Sequence, residues 1–139
     1  MTVIITEITD RVIESGSIRD LLLTPECGAV VEFHGLVRNH DAGKGVEKLE
    51  YESHETALAV IKDITAEVDR KFSQVRFAVS HRVGSLSIGD LAFYVAAASA
   101  HREEAFKVCQ FLVEEVKEKI PVWKNQIFID GSNEWVNSA

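Results

Sequence analysis

The 139-residue sequence predicts an α+β fold with a mostly antiparallel sheet covered by helices. Three observations carry that expectation. Segments rich in β-branched and aromatic residues outnumber the helical ones. Several of them are joined by short turns, which suits antiparallel neighbours. With 46% apolar and 27% charged residues, the chain has the length and composition for one hydrophobic core. Residues 1–139 are therefore expected to form a single domain, without internal repeat, linker or low-complexity segment.

The elements follow in order. TVIITEI (2–8) is a short β-rich run. Asp10 to Leu23 reads as one or two helical pieces, interrupted around Ser15-Gly16-Ser17 and ended by Pro25. GAVVEFHGLVR (28–38) reads as a strand. NHDAGKG (39–45) is all turn chemistry, so a mobile loop is expected there. VEKLEYESH (46–54) alternates imperfectly and is taken as a strand. Glu55 to Phe72 is helical, with Ala57, Ile61, Ile64, Val68 and Phe72 along one face. VRFAVSHRV (75–83) is a strand, SIGD (87–90) a turn, and LAFYVAAASA (91–100) is apolar enough for a central strand. A helix over Glu103–Lys119 is stopped by Pro121. VWKNQIFI (122–129) is a strand, and DGSN (130–133) a turn before a last short EWV.

Composition removes several classes of function. A net charge of -7 and a pI near 5.2 argue against general binding to nucleic acid or anionic membranes. MTVIITEITD has no basic segment leading into a long apolar run, and no stretch approaches the ~20 apolar residues of a membrane span, so a cytoplasmic location is expected. Cys27 and Cys109 sit in apolar surroundings and read as buried free thiols. The histidines (34, 40, 54, 81 and 101) show no HxxxH or HExxH spacing and neither cysteine lies in a CxxC, so no metal site is expected. AGKG (42–45) lacks the Ser or Thr and the following helix of a phosphate-binding loop.

The most informative stretch is SAHREEAFKVCQFLVEEVKEKIPVWKN, residues 99–125. Ala105, Val108, Cys109, Leu112, Val116 and Ile120 form its core-facing stripe. Glu103–Lys107 and Glu115–Lys119 are i,i+4 pairs on a solvated face. Lys117 differs, because its side of the helix carries Phe106, Gln110 and Val113. Anything packed over it would desolvate it, and Lys124, just past Pro121, would add a second cation. Both effects lower a lysine pKa and suit it to acid, base or nucleophilic work. The plainer reading is a snorkelling lysine at a helix C-terminus. At the other end, His101 and Arg102 precede free backbone N–H groups and could seat a phosphate or carboxylate; a capping region with an exposed arginine is the alternative. Arg102 and Lys117 are 15 residues apart, so a straight helix holds them ~22 Å apart at about 1.5 Å per residue. Either the two ends are unrelated, or a symmetric dimer builds a composite site from both.

Taken in order, GAVVEFHGLVRNH, SHRVGSLSIGD, SAHREEAFKVCQFLVEEVK and IPVWKNQ resemble the large, catalytic subunit of the molybdopterin synthase family, from about Gly28 to Trp135. The resemblance implies a single domain with a hammerhead-like β motif. It implies a sulfurtransferase of molybdenum cofactor biosynthesis, which makes the dithiolene of molybdopterin from cyclic pyranopterin monophosphate. The sulfur donor is the C-terminal Gly-Gly thiocarboxylate of a small ubiquitin-like subunit, and the assembly is a heterotetramer around a homodimer of this chain. No bound cofactor is implied. Carried onto this sequence, Lys117 becomes the main catalytic residue with Lys124 as its partner. Arg38, with Val37 and Leu36 beside it, contacts substrate or tail, although Leu36 stands where many relatives carry a basic residue. His101 and Arg102 become phosphate or pterin contacts reaching into the neighbouring subunit, and Asn125 and Gln126 line the pocket. The rival is a non-catalytic docking protein of the same fold that binds an acidic ubiquitin-like tail.

Overall fold

A computed structural model describes residues 3–137. Its elements are β1 (Val3–Thr9), α1 (Ser15–Leu22), β2 (Ala29–Leu36), β3 (His40–Asp41), β4 (Lys44–Ser53), α2 (Ala57–Lys71), β5 (Arg76–Arg82), β6 (Gly84–Ser87), β7 (Leu91–Ser99), α3 (Arg102–Lys119), β8 (Val122–Phe128) and β9 (Asn133–Asn137). One sheet runs in the order β1-β5-β7-β2, and a second in the order β3-β4-β8-β9 with β6 also paired to β4. The β1–β5 pair is parallel; the other pairs are antiparallel.

The apolar run of β7 is explained by what covers it. Phe93, Val95 and Ala97 join the larger core with Ile61 and Val68 of α2 and Val108, Leu112 and Val116 of α3. Tyr94, Ala96 and Ala98, on the opposite face, pack on Ile18 and Leu22 of α1. A strand covered on both faces loses the alternation of polar and apolar residues. Truncating a fully buried member such as Leu112 to Ala would cost about 2–5 kcal/mol. Pro121 ends α3, and β8 then returns along β4 in register, Lys124 opposite Tyr51 and Gln126 opposite Leu49.

Four expectations change. Asp10–Glu14 is not helical, and Ser15-Gly16-Ser17 is the first turn of α1 rather than a break. Ile18 and Leu22, one helical turn apart, are buried and fix that start. Residues 39–45 form a tight hairpin, with His40 opposite Gly45 and Asp41 opposite Lys44. Ala42 (φ 49) and Gly43 (φ 81) take the two left-handed positions that a two-residue hairpin turn requires. Gly84–Ser87 is a strand that the sequence did not announce. Cys109 is buried, whereas Cys27 is half-buried, with Sγ 3.5 Å from Oγ1 of Thr24. Among the described residues no helix is long and apolar enough to cross a membrane.

Candidate active site

The C-terminal end of α3 and the facing edges of the two sheets enclose a cleft of about 270 Å³. Lys117 and Lys124 meet there because Pro121 turns the chain from helix to strand between them. Arg38, which follows β2, and Asp41 on β3 form one wall; Leu49, Tyr51, His81, Phe93 and Gln126 are among the other lining residues. Period-two alternation along β8 puts Lys124 and Gln126 on the cleft side of the strand.

The two lysines have different surroundings. Lys117 is exposed at the rim, its Nζ 5.9 Å from the centroid of the Phe33 ring, within cation–π range. Lys124 is half-buried, and burial pushes its pKa below the ordinary lysine value. Asp41 pulls the other way, while Lys117 and Arg38 add repulsion. The desolvation expected at Lys117 is thus found at Lys124, because a strand facing the gap between two sheets is better shielded than the last turn of a surface helix.

Asp41 organises one wall. Its Oδ1 lies 3.5 Å from Nη2 of Arg38, and its Oδ2 accepts a hydrogen bond from Nε2 of Gln126 at 3.0 Å. The buried Gln126 amide is therefore turned with Oε1 away from Asp41, and that oxygen has no hydrogen-bond partner among the described residues. His81 is 1% exposed and stands between Tyr51 and Phe93, at ring-centroid distances of 5.3 and 5.4 Å. Burial pushes its pKa down to about 4; the bond to the Arg82 carbonyl opposes this and the charge of Lys117 reinforces it. The imidazole is neutral at physiological pH.

The other residues expected at the site divide between this cleft and other parts of the molecule. Leu36 lines the cleft and is 56% exposed. Val37 is buried in the core. Its N–H donates to the Asp90 carbonyl and its own carbonyl accepts from the Gly89 N–H, so its main-chain polar groups are already paired. Asn125 is buried but does not line the cleft, since alternation points it to the other face of β8. His101 and Arg102 are exposed at the far end of α3, separated from Lys117 by the helix length. Within its own chain, His101 borders a different hollow of about 230 Å³ beside Cys27, Glu26, Arg76 and Glu104. Two carboxylates make that hollow a poor seat for an anion.

Asp41, Tyr51 and His81 were not singled out from the sequence. His81 had a visible signal. In VRFAVSHRV it is the polar residue at a position continuing the core-facing series Phe77, Val79. Asp41 gave none, because a two-residue strand has no periodicity to read.

Comparison with known proteins shows the family to which this fold and sequence belong. The profile of the MoaE protein family matches residues 8–119. The chain is 34% identical over 130 residues to the molybdopterin synthase catalytic subunit of Thermoplasma volcanium, covering 93% of this chain and 95% of that one. It is 35% identical over 131 residues to that of Bacillus subtilis, covering 94% and 83%. Among solved structures, molybdopterin synthase from Staphylococcus aureus superposes with a TM-score of 0.88 at 32% identity, covering 95% of this chain and 96% of that one. With its fold and nearly its whole length shared with these proteins, the chain belongs to the MoaE family of molybdopterin synthase catalytic subunits.

Proposed function

We propose that the cleft holding Lys117, Lys124 and Arg38 is where this chain moves sulfur from the C-terminal thiocarboxylate of a small ubiquitin-like carrier to cyclic pyranopterin monophosphate. The convergence of three cations on one cleft carries this reading. Donor and acceptor are both anions, and their approach is opposed unless fixed positive charge lies between them. Lys117 at the rim and Lys124 deeper in supply that charge along the path of an entering tail. Arg38, held by Asp41, offers a planar set of donors for phosphate or carboxylate.

Each transfer joins the thiocarboxylate sulfur to a substrate carbon, which gives up an oxygen substituent; water then cleaves the carrier's acyl C–S bond, leaving the sulfur on the substrate and the carrier as a carboxylate. A proton must move in that step. Lys124, with its lowered pKa, is suited to exchanging it, and Lys117 stabilises the charge that develops on the carbonyl oxygen. His101 and Arg102 act from a second copy of the chain, since α3 keeps them away from their own lysines. A homodimer at the centre of the assembly, with one carrier on each copy, satisfies that geometry.

A single-turnover assay tests the proposal. Purified protein is mixed with thiocarboxylated carrier and pyranopterin precursor, and dithiolene formation is followed. Product formed only when all three are present supports it. Tight binding of the carrier with no product would favour the docking-protein reading.

A further inference from the structure

Cations alone do not make a cleft selective. Arg38, Lys117 and Lys124 are all donors and would receive inorganic phosphate as readily as a phosphorylated heterocycle. Beside them the cleft also presents hydrogen-bond acceptors. The Nδ1 of His81 lies 2.8 Å from the carbonyl oxygen of Arg82. A carbonyl only accepts, so Nδ1 carries the ring proton and Nε2 carries the lone pair. His81 lines the cleft, and with Nδ1 committed to the backbone, the Nε2 lone pair is what it has left to offer. Nearby, Gln126 is 2% exposed, and its amide is oriented by donation to Asp41. Its Oε1 is buried and has no partner among the described residues.

These acceptors are fixed. Tyr51 and Phe93 hold the His81 ring from two sides. Its burial and the nearby Lys117 charge keep it neutral, so it does not become a donor at working pH. A buried acceptor without a donor is costly, and the cost is relieved by water or by a ligand that brings an N–H or O–H to it.

The geometry points to His81, through Nε2, as a specificity-determining contact that accepts a hydrogen bond from an N–H edge of the substrate's heterocycle and thereby holds its anionic end toward Arg38 and the lysines. This rests on the reading that the cleft takes a pyranopterin phosphate, and adds which edge enters first and why simple phosphates are discriminated against. A site built around unpaired polar groups rejects analogues that lack the matching group far more strongly than an apolar pocket rejects a missing methylene.

The test uses the intact protein and two probes, cyclic pyranopterin monophosphate and inorganic phosphate. His81→Phe keeps the ring stack and removes both nitrogens. It is expected to weaken pyranopterin binding about tenfold or more and to leave phosphate binding within about twofold. Equal weakening of both probes, or no weakening of pyranopterin binding, would overturn the inference. Should that variant fail to fold, wild-type protein labelled with ¹⁵N-histidine gives the same decision. Its His81 spectrum should show the Nδ1–H form, with the Nε2 resonance moving on addition of pyranopterin and staying still on addition of phosphate. Pyranopterin binding with an unmoved Nε2 resonance would sink the role of His81 alone. Wild-type protein that does not bind pyranopterin at all would sink the pterin reading and this inference with it.

Discussion

Nε2 of Gln126 donates to Oδ2 of Asp41 at 3.0 Å, and through that bond the turn of the β3–β4 hairpin is tied to the strand that carries Lys124. Asp41 is also the one carboxylate among the charges acting on Lys124, where it partly offsets the effects of burial, Lys117 and Arg38. Asp41→Asn is therefore expected to lower the Lys124 pKa further while costing no more than about 1 kcal/mol of stability, since its ion pair with Arg38 is largely exposed. A side-chain NMR titration of Lys124 reads this directly. A pKa that rises or stays in place would remove Asp41 from the account.

Lys124 itself is a site where function opposes stability. Its folded pKa lies below the unfolded value, so its charge disfavours the folded state at neutral pH. Lys124→Met keeps the aliphatic stem and removes that charge. It should raise the denaturant midpoint of unfolding while abolishing sulfur transfer. A clearly destabilised variant would mean that the ammonium group is well satisfied in its cleft.

His81 makes the fold acid-sensitive in a defined window. The unfolded imidazole takes up a proton near pH 6.5, and the folded one only near pH 4. Between those values the unfolded state binds more protons, so stability is fully present above about pH 6.5 and falls as pH drops toward 4. The loss from this group is bounded at about 3 kcal/mol. Unfolding free energies measured across that range should fall less steeply for His81→Phe than for wild type. Parallel curves would show that His81 titrates normally.

The composite-site proposal predicts complementation. Lys117→Ala lacks one end of the site and Arg102→Ala the other, and each is expected to be inactive alone. Mixed and allowed to exchange subunits, half of the dimers pair one of each and regain one complete site, giving about a quarter of wild-type turnover under statistical pairing. A mixture as inactive as its components would place both ends of α3 in separate roles.

Much of this molecule was legible in its sequence. The α3 stripe, its stop at Pro121 and the lysines flanking that proline followed from helical periodicity and proline chemistry, and α2 and the strands of the first sheet followed from their apolar patterns. What escaped notice was set by pairing between distant residues. β3 has two residues and β6 has four, too few to show a period, and both exist because β4 offers them an edge. α1 begins at Ser15 because Ile18 and Leu22 find a sheet face to bury against, although Ser-Gly-Ser reads locally as a break. Within the site, the sequence named both lysines but could not rank their burial, which depends on how deeply strand and helix sit relative to the second sheet.

In the proposed mechanism Lys117 works in the chemistry rather than in docking, and one experiment isolates that role. Carrier binding and single-turnover dithiolene formation are measured side by side for wild type, Lys117→Ala and Lys117→Arg. The account predicts unchanged carrier affinity within about threefold and a loss of rate on the order of a thousandfold for Lys117→Ala. Lys117→Arg should fail to restore the rate, because a guanidinium is larger than an ammonium and spreads its charge over a planar fork instead of placing a compact charge at the carbonyl oxygen. Turnover that survives in Lys117→Arg, or carrier binding that disappears together with turnover in Lys117→Ala, would contradict it and leave Lys117 as a docking charge.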